Sequence, residues 1–425
     1  MLLEEGLFMG FKSGTLSEEI QLQPVQTLRG KNIVLGVTGS SAIYKSIDLA
    51  RRLIRMGATV RVVMTRFATK LISPDLFHWA TGQKPLVEMT GETEHIDLAK
   101  WGDALVVAPA TLNTMCKIAH GVLDELLTLT AVTMLGSGKK VIVVPTMNTR
   151  LMKTPQYDKA IKILREEGVF IIPPKIEEDK AKYPPIEDLS HCIDALINRG
   201  RDLERARVLV TAGATVEHID PVRVITNPSS GLMGILVARE AACRGASVTL
   251  VHGNITLEPP YMVKTIRVES TEDMARVVRD LTEKEEFDIG VFAAAPADYK
   301  PISPRVLKIN TREYGKIVLE LETTPKVIKN ILKKPRYIVA FAAETLSGDE
   351  LLNKAREKLI EYRADLVVGN SVLSAKAGFA KEYLEAIIIT KDDVVASGLL
   401  LKYEIARLIL DKAHEGLSSN KRVLG

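Results

Sequence analysis

From Lys31 onward, short runs of β-branched and aliphatic residues alternate with longer amphipathic stretches. In the first half the runs are Ile33–Val37, Val60–Met64, Ala104–Ala108, Val141–Val144 and Val169–Ile172. Apart from Arg61 they are apolar, as strands buried on both faces of a parallel sheet must largely be, and helical periodicity fills the intervals. One open, doubly wound sheet is expected. Pro173-Pro174, a charged stretch through Lys182 and Pro184-Pro185 then break the pattern, which reads as an exposed flap or linker. A short helix near Asp188–Asn198 is expected to end at Gly200. The alternation restarts with Val208–Thr211, Val248–Val251, Ile289–Ala293, Ile317–Leu321, Ile338–Phe341, Leu366–Val368 and Ala386–Ile389. The fold class is α/β with two doubly wound domains, and both halves open with a strand, a Gly-containing turn, a helix and a strand.

Composition narrows the function. A chain of 425 residues exceeds what one core usually spans, so more than one domain fits. The net charge is only +4 and aromatics make up 5%, so no basic stripe with stacking rings marks a nucleic-acid tract. Small anionic ligands suit this balance better. Cys116, Cys192 and Cys243 are far apart without a CxxC, and His78, His120, His191, His218, His252 and His414 show no metal-ligand spacing. Glu4 and Glu5 stand where a signal peptide would carry Lys or Arg, and no charge-free apolar run of about 18 residues occurs. The expectation is a cytoplasmic enzyme without a membrane span.

Several positions combine polar chemistry with strand ends. In "GVTGSSAIYKS" a strand runs into Gly39, Ser40 and Ser41 and then a helix, so backbone N–H groups could hold a phosphate, and a purely structural capped turn explains the segment equally. "APATLNT" puts Thr111 and Asn113 at the carboxyl end of the next strand, where open α/β sheets place ligands, although Thr111 is also an ordinary helix cap. Asn148 in "PTMNTRLM" can donate to a carboxylate or serve as a turn residue. His95 in "EHIDLAKWGD" is by itself more simply a structural histidine.

Taken in order, "GVTGSSA", "EHIDLAKWGDALVVAPATLNT" and "VPTMNTRLM" resemble the flavin-dependent cysteine decarboxylases, in particular phosphopantothenoylcysteine decarboxylase. The resemblance implies that Gly39, Ser40, Thr65, Thr111 and Asn113 contact FMN, while His95 and Asn148 position the substrate carboxylate and assist its loss. It also implies a homo-oligomer with the flavin site between subunits. Two departures stand out. Leu151 and Met152 end the PxMNxxMW element, and the flap "PPKIEEDKAKYPPIED" lacks the cysteine that many bacterial relatives use as a proton donor. Lys180, Lys182 or Tyr183 would have to replace it.

In the second half, "TAGATVEHIDPVRVITNPSSGLMG" offers a turn glycine and an "SSG" helix start suited to a phosphate or to a plain cap. "FAAAPADYKP" ends a strand in small residues and places Asp298 for Mg2+ or as a turn carboxylate. Lys308 and Lys358 could reach a triphosphate or belong to solvated faces. With "LKIN", "AFAAET" and "ADLVVGNSV", these segments resemble phosphopantothenate-cysteine ligase over residues 207 to about 390. That resemblance implies ligation of cysteine to 4′-phosphopantothenate through an acyl-cytidylate formed from CTP. Asn227 would steady the acyl intermediate, and Lys308 would serve nucleotide recognition and activation. Asp298 would bind Mg2+. Phe341, Ala343 and Lys358 would line the nucleotide pocket, and Arg223 would contact phosphopantothenate. Ala214, "KIN" and Tyr362 depart from the family pattern, which bears on triphosphate affinity and on CTP over ATP.

The pairing of decarboxylase and ligase on one chain is the bifunctional arrangement of coenzyme A biosynthesis. It implies two Rossmann-like domains, the first flavodoxin-like. The expected division is an N-terminal extension at 1–29, an FMN-dependent decarboxylase domain at 30–173, a flap and linker at 174–205 and a CTP-dependent ligase domain at 206–425. The expected ligands are 4′-phosphopantothenate, cysteine, CTP, FMN and Mg2+, with no nucleic acid and no membrane. The alternative is a ligase whose flavin-binding half no longer decarboxylates.

Overall fold

The computed structural model describes residues 26–310, 312, 315–373 and 381–423, so most of the expected N-terminal extension lies outside the described residues. The chain divides into two compact units, Met1–Asn198 and Arg199–Gly425.

The first unit holds strands β1 (Asn32–Val37), β2 (Thr59–Met64), β3 (Ala104–Ala110), β4 (Lys140–Pro145), β5 (Met147–Asn148), β6 (Phe170–Ile171), β7 (Lys175–Glu177) and β8 (Lys180–Lys182). Its helices are α1 (Lys45–Arg55), α2 (Pro74–Thr81), α3 (Glu94–Trp101), α4 (Leu112–Ala119), α5 (Leu126–Gly136), α6 (Thr149–Met152), α7 (Pro155–Glu166) and α8 (Ile186–Asn198). The main sheet runs β2-β1-β3-β4-β6, all parallel, which is the flavodoxin-like order. Its strands are buried on both faces because α1 packs with α2 and α8, while α3 packs with α5 and α4 with α7.

The expected flap is an ordered hairpin. Strands β7 and β8 are antiparallel, and β8 pairs in turn with β5, so that Asn148 stands opposite Lys180. The two turn residues, Glu178 and Asp179, take φ of 49° and 55°, the double left-handed backbone of a type I′ turn. Thr149 donates from both N and Oγ1 to the Asp179 carbonyl, at 3.2 and 2.7 Å. That anchors the turn over the start of α6. The stretch at 186–198 is a helix of the first unit.

The second unit adds β9 (Arg207–Ala212), β10 (Val216–His218), β11 (Val224–Thr226), β12 (Ser247–His252), β13 (Lys264–Arg267), β14 (Ile289–Phe292), β15 (Tyr299–Pro301), β16 (Leu321–Thr323), β17 (Tyr337–Glu344), β18 (Leu366–Ser371), β19 (Tyr383–Thr390) and β20 (Val394–Leu401). Helices α9 (Leu232–Cys243), α10 (Thr271–Lys284), α11 (Gly348–Glu361) and α12 (Lys402–Val423) complete it. The eight-stranded sheet runs β13-β12-β9-β14-β17-β18-β19-β20, parallel through β18 and antiparallel beyond. Period-two alternation splits its core into two. Val208, Val210, Tyr337 and Val339 join the cluster that includes residues of α9 and α12, while Leu209, Ile338, Ala340 and Ala342 join the one with α10 and α11.

The strand expected at Ile317–Leu321 is a correction. Only Leu321–Thr323 is a strand, and it pairs with β15 in a separate two-stranded arm. Val318 is 81% exposed, so apolar character without a covering layer did not bring this run into the sheet.

Candidate functional site

Both main sheets reverse strand order beside their first strand, and such a switch point opens a crevice at the carboxyl ends of the strands. In the first unit it lies between β1 and β3, and the chain delivers hydroxyls and amides to it from four strand ends. Thr38 donates to the Pro109 carbonyl at 2.8 Å and accepts from the Thr111 N–H at 3.1 Å, which ties the turn after β1 to the turn after β3. Ser46 adds a second tie, donating to the Ala108 carbonyl at 2.8 Å. Gly39 carries no side chain because the Phe67 ring fills that space. Thr65 is buried at the end of β2, and its Oγ1 accepts from the Ala68 N–H at 3.2 Å. Thr111 caps α4, and Asn113 in its first turn is exposed. This set of hydroxyls, amides and backbone N–H groups around a small-residue turn fits a phosphorylated flavin.

Asn148 caps α6 by accepting from the Arg150 N–H at 2.9 Å, so its Nδ2 is the donor left over. His95 is half-buried in the first turn of α3, and its imidazole makes no hydrogen bond among the described residues. The three flap residues are not equivalent. Lys182 donates to Glu178 and Glu177 at 3.0 and 3.2 Å, and these bonds make it more basic than a free lysine. Tyr183 is 2% exposed, and burial pushes its hydroxyl well above the ordinary tyrosine range. Lys180, opposite Asn148, is exposed.

In the second unit the switch point lies between β9 and β14, and a cavity of about 400 Å3 opens there. It gathers Asn227, Asp298, Phe341, Ala343 and Lys358 of the residues expected from the sequence. Ser229 and Ser230 lead into α9, where their hydroxyls accept from the Gly231 and Leu232 N–H groups at 3.3 and 3.4 Å, and the positive dipole end of the helix favours an anion. Asn227 donates through Nδ2 to the Ala295 and Pro296 carbonyls at 3.2 and 2.9 Å, so its Oδ1 remains as an acceptor. Lys358 meets Glu344 at 2.7 Å, and Lys326 meets Asp298 at 2.6 Å. Burial opposes the charge on Lys326, and the bond to Asp298 outweighs it and leaves the group more basic than a free lysine.

Two lining cations, Lys326 and Lys402, were absent from the sequence expectation. Lys402 is 6% exposed where β20 passes into α12, and burial pushes its ammonium down to about 8. A lysine flanked by Leu399–Leu401 and Tyr403 was the available signal, because a charged residue at a strand end in apolar surroundings is rarely idle. Arg223 and Lys308 do not line the cavity. Arg223 bonds Asp220 and the Ile309 carbonyl, and Lys308 is exposed on the segment before Ile309. Asp298 is the one carboxylate lining the cavity, and no group of three or more His, Cys, Asp or Glu able to hold a metal occurs among the described residues. A hard cation at Asp298 would therefore depend on phosphate oxygens and water for its other ligands. Ala214 is buried and exchanges backbone bonds with Asn254, so the turn accommodates its methyl group. No helix among the described residues is long and apolar enough to cross a membrane.

A family model described as Flavoprotein matches residues 22–198, and one described as DNA/pantothenate metabolism flavoprotein C-terminal domain matches residues 203–417. The Coenzyme A biosynthesis bifunctional protein CoaBC of Thermococcus kodakarensis is 38% identical over 397 residues, covering 92% of this chain and 96% of that protein. Its namesake from Methanocaldococcus jannaschii is 34% identical over 396 residues, covering 92% and 95%. A crystal structure of the C-terminal domain of a CoaBC protein aligns with a TM-score of 0.43 at 35% identity, covering 52% of this chain and 99% of that one.

Proposed function

The chain belongs to the family of coenzyme A biosynthesis bifunctional proteins named CoaBC, and on that premise we propose how its residues divide the two reactions. It is a bifunctional enzyme, a phosphopantothenate-cysteine ligase and a phosphopantothenoylcysteine decarboxylase, with a flavin cofactor.

We assign the ligase to the cavity between β9 and β14. The carboxylate of 4′-phosphopantothenate attacks the α-phosphorus of CTP, pyrophosphate leaves, and the cysteine amine then displaces CMP from the acyl-cytidylate. Charge crowding is the main obstacle, and Lys326, Lys358, Lys402 and the start of α9 supply positive potential in a partly enclosed site. Asn227 Oδ1 accepts a hydrogen bond from the incoming amine. Phe341 and Ala343, at the end of β17, face the nucleotide, and Asp298 takes Mg2+ together with the phosphates. Although Arg223 and Lys308 do not line the cavity itself, we assign the substrate phosphate to Arg223 and activation to Lys308.

We assign the decarboxylase to the β1/β3 crevice, with FMN held by Gly39, Ser40, Thr65, Thr111 and Asn113. When bound, the flavin supplies the two-electron oxidation of the thiol end that permits loss of CO2. Asn148 Nδ2 donates to the departing carboxylate, and His95 orients it from α3. Lys180, with Lys182 bonded to Glu177 and Glu178 and Tyr183 buried, is the flap residue best placed to return the proton. The exposed Phe67, whose ring lies against Gly39 in this crevice, supports a homo-oligomer in which a second subunit covers the flavin. We place the protein in the cytoplasm and take residues 174–205 to carry the flap and the linker between the functional domains.

The observation that carries the ligase assignment is the convergence of three lysines and a helix start on one cavity. The test is to supply the purified protein with phosphopantothenate, cysteine, CTP and Mg2+. The expected outcome is a yellow protein that releases CMP and pyrophosphate and forms CO2 and phosphopantetheine. Accumulation of phosphopantothenoylcysteine would leave only the ligase standing, and equal rates with ATP would remove CTP from the assignment.

A further inference from the structure

Asp220 is 1% exposed and lies in the turn between β10 and β11. Its Oδ1 accepts the N–H groups of Val222 and Arg223 at 2.8 and 2.7 Å, while its Oδ2 accepts the Ile309 N–H at 3.1 Å and an Nη1 proton of Arg223. Burial alone would raise this carboxyl, but those backbone donors and Arg223 outweigh it and hold it far below the usual carboxylate range. It is therefore a fixed anion. Arg223 Nη1 also donates to the Ile309 carbonyl at 3.2 Å, so the Asp220–Arg223 pair grips both backbone groups of one residue 89 positions from Asp220. A further clamp closes beside it, where the Arg305 N–H reaches the Ile219 carbonyl at 2.9 Å.

Two consequences follow from these bonds. With Nη1 occupied, Arg223 presents Nε and Nη2, which meet no acceptor among the described residues, and the planar guanidinium is held in one orientation. Lys308 immediately precedes the gripped residue, so its backbone is fixed while its side chain is exposed. A single buried carboxylate thus sets the separation of two cations that are distant in sequence.

We propose that Asp220 is a positioning residue for the ligase reaction, holding Arg223 and the Lys308 segment in register so that the phosphate and the activated carboxylate of one substrate are met together. The proposal rests on the assignment of Arg223 and Lys308 to the ligase site. Replacing Asp220 by asparagine removes the charge and turns one acceptor into a donor facing donors. Small misplacements of binding groups cost up to about a hundredfold in rate.

In the full-length protein, D220N is expected to lower kcat/KM for phosphopantothenate by about 10- to 100-fold in pyrophosphate release. Decarboxylation of supplied phosphopantothenoylcysteine should be unchanged. D220E, which keeps the charge and moves it by one methylene, should fall between. The deciding measurement is the same substitution in an R223A/K308A background, where the further loss should shrink to less than about threefold because the groups it positions are gone. If D220N unfolds the second unit, D220E is carried through the same backgrounds. A full-sized loss in the R223A/K308A background overturns positioning and leaves the site assignment intact. Unaltered ligase activity in R223A/K308A itself overturns the assignment and the proposal with it.

Discussion

Replacing Lys358 by methionine tests the nucleotide assignment most directly, because its ammonium faces both the cavity and a carboxylate of the protein. Its side chain is 19% exposed and its partner Glu344 22%, so both are held in partly desolvated surroundings. A charge-assisted hydrogen bond from such a lysine to a phosphate is worth about 1.5–3 kcal/mol. At about 1.36 kcal/mol per decade, its loss raises KM for CTP by about 10- to 150-fold. The substitution also strips Glu344 of its counter-ion at 2.7 Å, leaving a carboxylate beside the triphosphate. At an effective dielectric of about 20, such repulsion is about 4 kcal/mol at 4 Å and falls to about 2 kcal/mol at 8 Å. K358M/E344Q should therefore bind CTP better than K358M alone. Initial rates of pyrophosphate release over a CTP titration, at saturating phosphopantothenate and cysteine, give both comparisons. A KM change below threefold in K358M, or a double variant no better than the single, would refute the placement of the phosphates at this helix face.

Lys402 carries a pH signature. Its ammonium titrates at about 8, so it is charged below that pH and loses its charge as pH rises through it. Since kcat/KM reports groups of the free enzyme, kcat/KM for CTP should fall above about pH 8 in the wild type and lie lower but flat there in K402Q. A fall of the same shape in K402Q would mean that another group is titrating. Gly213 tests the turn behind the cavity. At φ of +81° an alanine costs about 1–2 kcal/mol, and its Cβ would run into the Asn254 carbonyl oxygen and stand 2.8 Å from Ile255 Cγ2. G213A should lower the melting temperature of the second unit by about 2–8 °C, with ligase activity lost before decarboxylase activity. Calorimetry showing a drop under 2 °C would contradict this reading.

How much was legible in the sequence follows from burial. Strands β1, β3, β9 and β17 are covered on both faces, so their apolar runs are continuous and readable. Strand β13 is an edge strand whose Lys264, Thr265 and Arg267 leave no apolar run to find. Strand β20 is mostly exposed and contains Gly398 at φ of +63°, which breaks its pattern. The flap escaped as a hairpin because its turn is Glu178-Asp179 where Asn-Gly is the usual signal. At the ligase site, Asn227, Asp298 and Phe341 were readable because each sits in a motif at or beyond a strand end. Lys326 and Lys402 were not. Each is a lone lysine in its own segment, and only the sheet brings the loop after β16 and the start of α12 to the same opening.

The ladder that joins β5 to the flap has a consequence for how this enzyme can change over time. Because Asn148 and Lys180 are cross-strand partners, a one-residue insertion in the turn would swap which side chains of β8 look toward the amide. Substitutions within the flap are therefore open to natural drift, whereas changes in its length are not. A lineage could trade one proton-bearing group for another at position 180 without rebuilding anything beneath it.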